Sequence, residues 1–143
     1  NTLGDLTREQ FDTHKDVIED ETLIRRAKHA VYENQRTMEA FKALSDDDLK
    51  TFGQLMNESH ISLRDDYEVT GPHLDTLFEA ALMQEGVTGA RMTGAGFGGC
   101  TVNIVDEEYV DRFIENVGKI YEEKTGLKAD FYVVKSGNGP SRL

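Results

Sequence analysis

The stretch Val87-Thr88-Gly89-Ala90-Arg91-Met92-Thr93-Gly94-Ala95-Gly96-Phe97-Gly98-Gly99-Cys100-Thr101-Val102-Asn103-Ile104-Val105 reads as two strands joined by a glycine loop. Val87 to Thr93 and Cys100 to Val105 carry the β-branched residues of strands, with glycine or a helix start at their ends. Four of the six residues from Gly94 to Gly99 are glycine. Without Cβ atoms such a backbone reaches φ > 0 and approaches a ligand or another segment closely. Its successive N–H groups then converge into an anion-binding concavity. The bland alternative is a glycine-padded hairpin that binds nothing.

Gly94, Gly96 and Gly99 fit G-x-G-x-x-G, but that fingerprint must open a helix near the start of a βαβ unit. Here a strand follows, and more than half of the chain precedes. A P-loop is excluded because no Gly-Lys-Ser/Thr follows. The protein-kinase loop is excluded by the absence of its lysine strand and of H-R-D and D-F-G.

Outward from the loop, Leu127 to Val134 reads as a third strand. Five helices are expected. Thr7-Arg8-Glu9-Gln10 has the form of a capping box, bracketed by Leu6 and Phe11 as a hydrophobic staple. Ile24, Ala27, Val31, Met38 and Phe41 form one apolar stripe of the second helix, and Arg25, Arg26 and Lys28 its solvent face. Ser45, followed by Asp46, Asp47 and Asp48, is expected to start the third. Gly71-Pro72 opens the fourth, with Gly86 as its C-cap. The fifth runs from Asp106 to a stop at Gly126. The pattern predicts an α+β domain with helices packed on one face of a small, largely antiparallel sheet. It spans residues 1–143 as a single unit, with 136–143 as a flexible tail.

The chain has 143 residues, 38% of them hydrophobic, with 16 Lys and Arg against 27 Asp and Glu. The resulting net charge of -11 repels polyanions and argues against nucleic acid or an anionic membrane surface as partner. One cysteine, Cys100, excludes an internal disulfide and a Cys-based zinc cluster, and is expected to be a buried strand residue. With no signal peptide or long apolar run, the expected compartment is the cytoplasm. The first residues are Asn1-Thr2 rather than methionine, the mark of a trimmed or partial chain. His14, His29, His60 and His73 show no metal-ligand spacing, and surface placement is expected for them. Ser62 to Glu68 is a charged stretch in which Arg64 is a candidate phosphate contact and Asp65 and Asp66 a candidate Mg²⁺ pair. The simpler reading is a solvated loop.

Ala90 to Cys100 resembles the third signature motif of the GHMP kinases. More narrowly, Glu33-Asn34-Gln35-Arg36, then Met56 to Val69, then Pro72-His73-Leu74-Asp75-Thr76-Leu77 are similar to the galactokinase branch, in the same order and over nearly the whole chain. The resemblance implies ATP-dependent phosphorylation of galactose at its 1-hydroxyl, feeding the Leloir pathway, at a cleft between two domains. It also implies that the galactose signature, the Pro-x-x-x-Gly-Leu-Ser-Ser-Ser loop and the Asp/Arg catalytic pair lie in an N-terminal domain. None of them occurs here, so no catalytic residue or metal ligand is expected in this chain. ATP and Mg²⁺ would be held mainly by that other domain. Thr93, Gly94, Gly96, Gly98 and Gly99 would line the active site near the phosphates, with Arg91 and Arg64 as secondary candidates. Gly94-Ala95-Gly96-Phe97 replaces the Gly-Gly-Gly-Phe form of the motif. A non-catalytic sugar sensor and a free-standing small-molecule-binding module are the alternatives.

Overall fold

Three of the five α-helices start at a side-chain cap: Thr7, Asp20 and Asp48. The structure, a computed structural model, describes residues 2–135 and 137. Helix α1 spans Arg8–His14, α2 Glu21–Ser45, α3 Leu49–Asp65, α4 Pro72–Leu82 and α5 Val110–Thr125; strands β1 and β2 span Val87–Thr93 and Cys100–Val105. The Thr7 hydroxyl accepts the Gln10 N–H while the Gln10 side chain accepts that of Thr7, completing the capping box. Leu6 packs on Phe11 as a staple should. Pro72 sits in the first turn of α4, and Gly126, at φ 72°, closes α5 in the left-handed conformation.

Three boundaries and the burial of one stripe differ from the sequence pattern; α5 begins at Val110, after a 3-10 turn over Glu107–Tyr109, rather than at Asp106. Ser45 ends α2 and Asp48 caps α3, its carboxylate accepting the Thr51 N–H at 3.0 Å. Of three successive acids, only the last stands at the distance a cap requires. Gly86 is not the C-cap of α4, which closes at Met83. Its φ of 76° instead turns the chain against the Tyr109 ring, into which a Cβ would run. The apolar stripe of α2 is buried at Ala27 and Val31 but exposed at Met38 (66%) and Phe41 (71%), because α1 and the N-terminal turn cover only its first half.

β1 and β2 pair antiparallel, with Thr93 opposite Cys100 and Ala90 opposite Asn103. Phe78, Ala80 and Ala81 of α4 pack with Ala90 of β1 and with Phe113 and Val117 of α5 to form the main core. A second cluster joins Leu63 of α3, Leu74 of α4 and Met92 of β1. Leu74 is wholly buried, a contribution of about 1.5–3 kcal/mol. α3 lies directly against β1: a Cβ on Gly89 would stand 2.6 Å from the Gly53 Cα. These two glycines let backbone meet backbone.

The expected third strand does not form. Residues 127–135 carry no strand, and the sheet of the described residues is two-stranded. A strand needs a neighbour for its N–H and C=O groups, and β-propensity alone supplies none. Phe131 anchors the segment edge-to-face on Phe113, while Tyr132, Val133 and Val134 stand exposed at 82%, 68% and 80%. The expected tail falls outside the described residues apart from residue 137.

Candidate functional site

The loop between β1 and β2 is built almost entirely from left-handed backbone. φ is 84° at Gly94, 86° at Gly96, 58° at Phe97, 110° at Gly98 and 103° at Gly99. Phe97 is the one residue with a side chain among these, and such a conformation costs about 1–3 kcal/mol unless its surroundings enforce it. What enforces it is a latch. The Phe97 N–H donates to the Val69 carbonyl at 2.7 Å, and a Cβ on Gly96 would overlap that same oxygen. At Gly94, Gly98 and Gly99 a Cβ would meet nothing within 4 Å, so packing inside this domain does not demand glycine there. Among the described residues, no other N–H of the Gly94–Gly99 run donates to a backbone carbonyl or a side chain. The loop thus holds uncommitted donors beside three positions where a side chain would meet nothing in this domain.

Val69 is itself held. The connector between α3 and α4 folds back so that the Val69 N–H donates to Leu63 O at 3.1 Å. Glu68, with φ 57°, accepts from Arg26 at 2.6 Å and Arg25 at 3.3 Å, and these bonds hold its carboxyl below the ordinary range. Arg26 also donates to Asp66 O at 2.5 Å, and Lys28 to the Asp66 carboxylate at 3.0 Å. The charged stretch is not simply a solvated loop, since Ser62 to Asp65 form the last turn of α3. Arg25, Arg26 and Lys28 are not merely the solvent face of α2. They clamp the connector that carries the latch, and Asp66 is occupied by Lys28 and Ser62.

β1 is positioned from its outer edge by side chains of α3. Asn57 Oδ1 accepts the Ala90 N–H at 2.8 Å, and His60 Nδ1 accepts the Met92 N–H at 3.0 Å. His60 is fully buried, stacks on Phe78 with centroids 3.8 Å apart, and reaches Asp75 through Nε2 at 3.3 Å. Burial holds it below the ordinary histidine value, against the upward pull of Asp75. His29 is buried too, bonding Ser62 at 3.0 Å and stacking on Tyr67. Surface placement therefore fails for His29 and His60, while His14 and His73 are exposed. Cys100 is exposed rather than buried, because its side chain falls on the open side at the foot of the loop.

Thr93 stands exposed at the end of β1, where the loop begins. The secondary candidates are otherwise engaged. Arg91 lies 3.7 Å from Glu33 of α2 and donates to Met92 O at 3.1 Å. Arg64 donates to Asp65 at 2.8 Å and lies 4.0 Å from Glu79. Glu33, which opens one of the resembling motifs, also accepts the Ser59 hydroxyl at 2.6 Å and pairs with the buried Arg36. It ties α2 and α3 to β1. As sequence, His60 was expected at the surface, and Asn57 and Val69 stood only within the resembling stretch Met56 to Val69; an asparagine and a histidine three apart on one helix face were the legible signal for the first two. Among the described residues, no three His, Cys, Asp or Glu side chains gather as they would around a metal ion.

The chain has relatives among known proteins. The family model described as GHMP kinases C terminal matches residues 38–123, which include α3, α4, the whole loop and most of α5. The galactokinase of Clostridium acetobutylicum is 59% identical over 143 residues, covering 100% of this chain and 37% of that protein. That of Lactiplantibacillus plantarum is 61% identical over 142 residues, covering 99% and 37%. A crystal structure of Lactococcus lactis galactokinase complexed with galactose superposes with a TM-score of 0.95 at 55% identity, over 100% of this chain and 37% of the other. The chain spans little more than a third of the length of these relatives. A latched, donor-rich loop on this helical frame, matched by the family model across the loop itself, places the chain in the GHMP kinase C-terminal family.

Proposed function

We propose that this chain is the C-terminal domain of a galactokinase and supplies one wall of an active site completed by a preceding domain. The observation that carries the reading is the loop Gly94–Gly99, a left-handed backbone latched at Phe97 whose other N–H groups have no acceptor among the described residues. Its similarity to galactokinases over the whole chain supports the substrate class.

The donor set fits a phosphate. Backbone N–H groups held before the reaction stabilise charge that develops on transferring phosphoryl oxygens, and need no catalytic side chain. Gly94, Gly98 and Gly99 leave room for close approach, Gly96 keeps the latch, and Thr93 adds a hydroxyl at the loop's start. ATP would bring the γ-phosphate, and Mg²⁺ would offset the charge that a chain of net -11 does not. Both are assigned mainly to the other domain, together with the base and the sugar contacts. Arg91 and Arg64 act here as struts, each engaged by carboxylates. The exposed Phe97, Tyr132, Val133 and Val134 and the outer edge of β2 are assigned to contact with that domain.

Among the described residues no helix is long and apolar enough to cross a membrane. As part of the same reading we assign the protein to the cytoplasm, where the MgATP that the proposed reaction draws on is supplied and a lone free cysteine stays reduced. The test is an assay of the full-length protein with MgATP across hexoses. Galactose-dependent ADP release with galactose 1-phosphate as product supports the reading. Binding of galactose without turnover would instead mark a sugar sensor.

A further inference from the structure

We propose that His60 is a positioning residue for phosphoryl transfer, holding the loop in place through the backbone of β1. The inference rests on the reading of the loop given above. A two-stranded sheet has two free edges and is marginal by itself. The outer edge of β1 is closed here by side chains. Asn57 and His60, one turn apart on α3, accept the N–H groups of Ala90 and Met92 in place of a neighbouring strand. Met92 is followed by Thr93, the last residue before the loop, so this bond sets where the loop departs. The latch at Val69 fixes its apex. Between these two restraints the donor row has little freedom.

The bond also fixes the chemical state of the imidazole. Nδ1 must offer a lone pair to Met92 N–H, so the ring is neutral with its hydrogen on Nε2, donated to Asp75 Oδ1 at 3.3 Å. Protonation puts a second hydrogen on Nδ1, facing the Met92 N–H donor, and abolishes the acceptor. The groups that bear on this equilibrium are Asp75 from α4, Arg64 and Asp65 from α3, and Arg91 from β1. Asp75 favours the charged form; burial, Arg64 and Arg91 oppose it. The Phe78 ring stacked on the imidazole excludes water from one face.

The experiment uses the full-length protein with His60→Leu, which removes the acceptor, and His60→Asn, which returns an oxygen near the position of Nδ1. Amide exchange at Met92, thermal midpoint, kcat and KM are measured between about pH 5 and about pH 8. We expect His60→Leu to speed exchange at Met92 and to lower kcat about tenfold, with KM for the sugar within about twofold. We expect His60→Asn to restore protection and most of kcat, and to flatten the acid limb of the kcat profile. Folded His60→Leu protein with wild-type kinetics overturns the inference, as does an acid limb in His60→Asn identical to wild type. If His60→Leu does not fold, the acid limb of His60→Asn decides alone. A wild-type protein that transfers no phosphate ends the functional reading and this role together. A change in Met92 exchange without a change in kcat ends this role alone.

Discussion

The backbone N–H of Phe97 donates to the carbonyl of Val69 at 2.7 Å, so the apex of the glycine loop and the α3–α4 connector form one unit. Taken as a loop residue alone, Gly96 should tolerate a side chain at no cost to folding. The latch reverses that expectation, because a Cβ there overlaps the Val69 oxygen. Gly96→Ala is predicted to lower stability by about 1–3 kcal/mol and activity together. Thermal denaturation and kcat/KM of the same preparation check this; an unchanged melting midpoint contradicts the latch.

The clamp behind the latch is ionic and partly exposed. Side-chain exposure is 30% at Arg26 and 51% at Glu68, so salt screens the pair. Arg26→Ala is predicted to leave the fold intact and lower kcat/KM about threefold, with the wild type approaching the variant at high ionic strength. Steady-state kinetics across a salt series reads both effects. Equal salt dependence in the two proteins would deny the clamp a role.

Two buried histidines set an acid limit. His29 and His60 are both held below the ordinary value of 6.5, chiefly by burial. On unfolding they regain that value, so as pH falls the unfolded state binds protons first. The stability they contribute is full above about pH 7 and is lost as pH drops through 6.5 towards their lower folded values. The melting midpoint of the full-length protein should therefore fall from about pH 7 to about pH 5, and fall less in His60→Asn. A flat profile over that interval contradicts the buried neutral imidazoles.

The sequence showed the fold unevenly, and each gap has a local cause. α1, α4, α5 and the hairpin were legible because their signals are local: a capping box, a proline in the first turn, a left-handed glycine, β-branched runs around glycines. Leu127 to Val134 has strand composition too, but strand formation depends on a neighbour that composition does not reveal. The loop announced itself through its glycines. Its supports did not, since Asn57, His60 and Val69 act through contacts to Ala90, Met92 and Phe97, which are 28 or more positions away. Buried histidines resemble surface ones until their partners are known.

The chain alone should not be a kinase. With one donor wall and a net charge of -11, it is predicted to bind MgATP no tighter than about millimolar, near 4 kcal/mol, and to release no ADP when galactose is added. Calorimetric titration and a coupled ADP assay test the two statements. Micromolar affinity would mean that the nucleotide site lies within these residues.

The most direct test of the loop as an active-site wall is Gly98→Ala in the full-length protein. Gly98 has φ 110°, which alanine adopts only with backbone strain, and open space where a Cβ would stand, so the methyl group clashes with nothing in this domain and projects where the phosphates are proposed to lie. The account predicts a fall in kcat/KM of at least about tenfold, roughly 1.4 kcal/mol of transition-state stabilisation, in protein that remains folded. Folded Gly98→Ala protein with wild-type kcat/KM would show that the run Gly94–Gly99 only closes a hairpin.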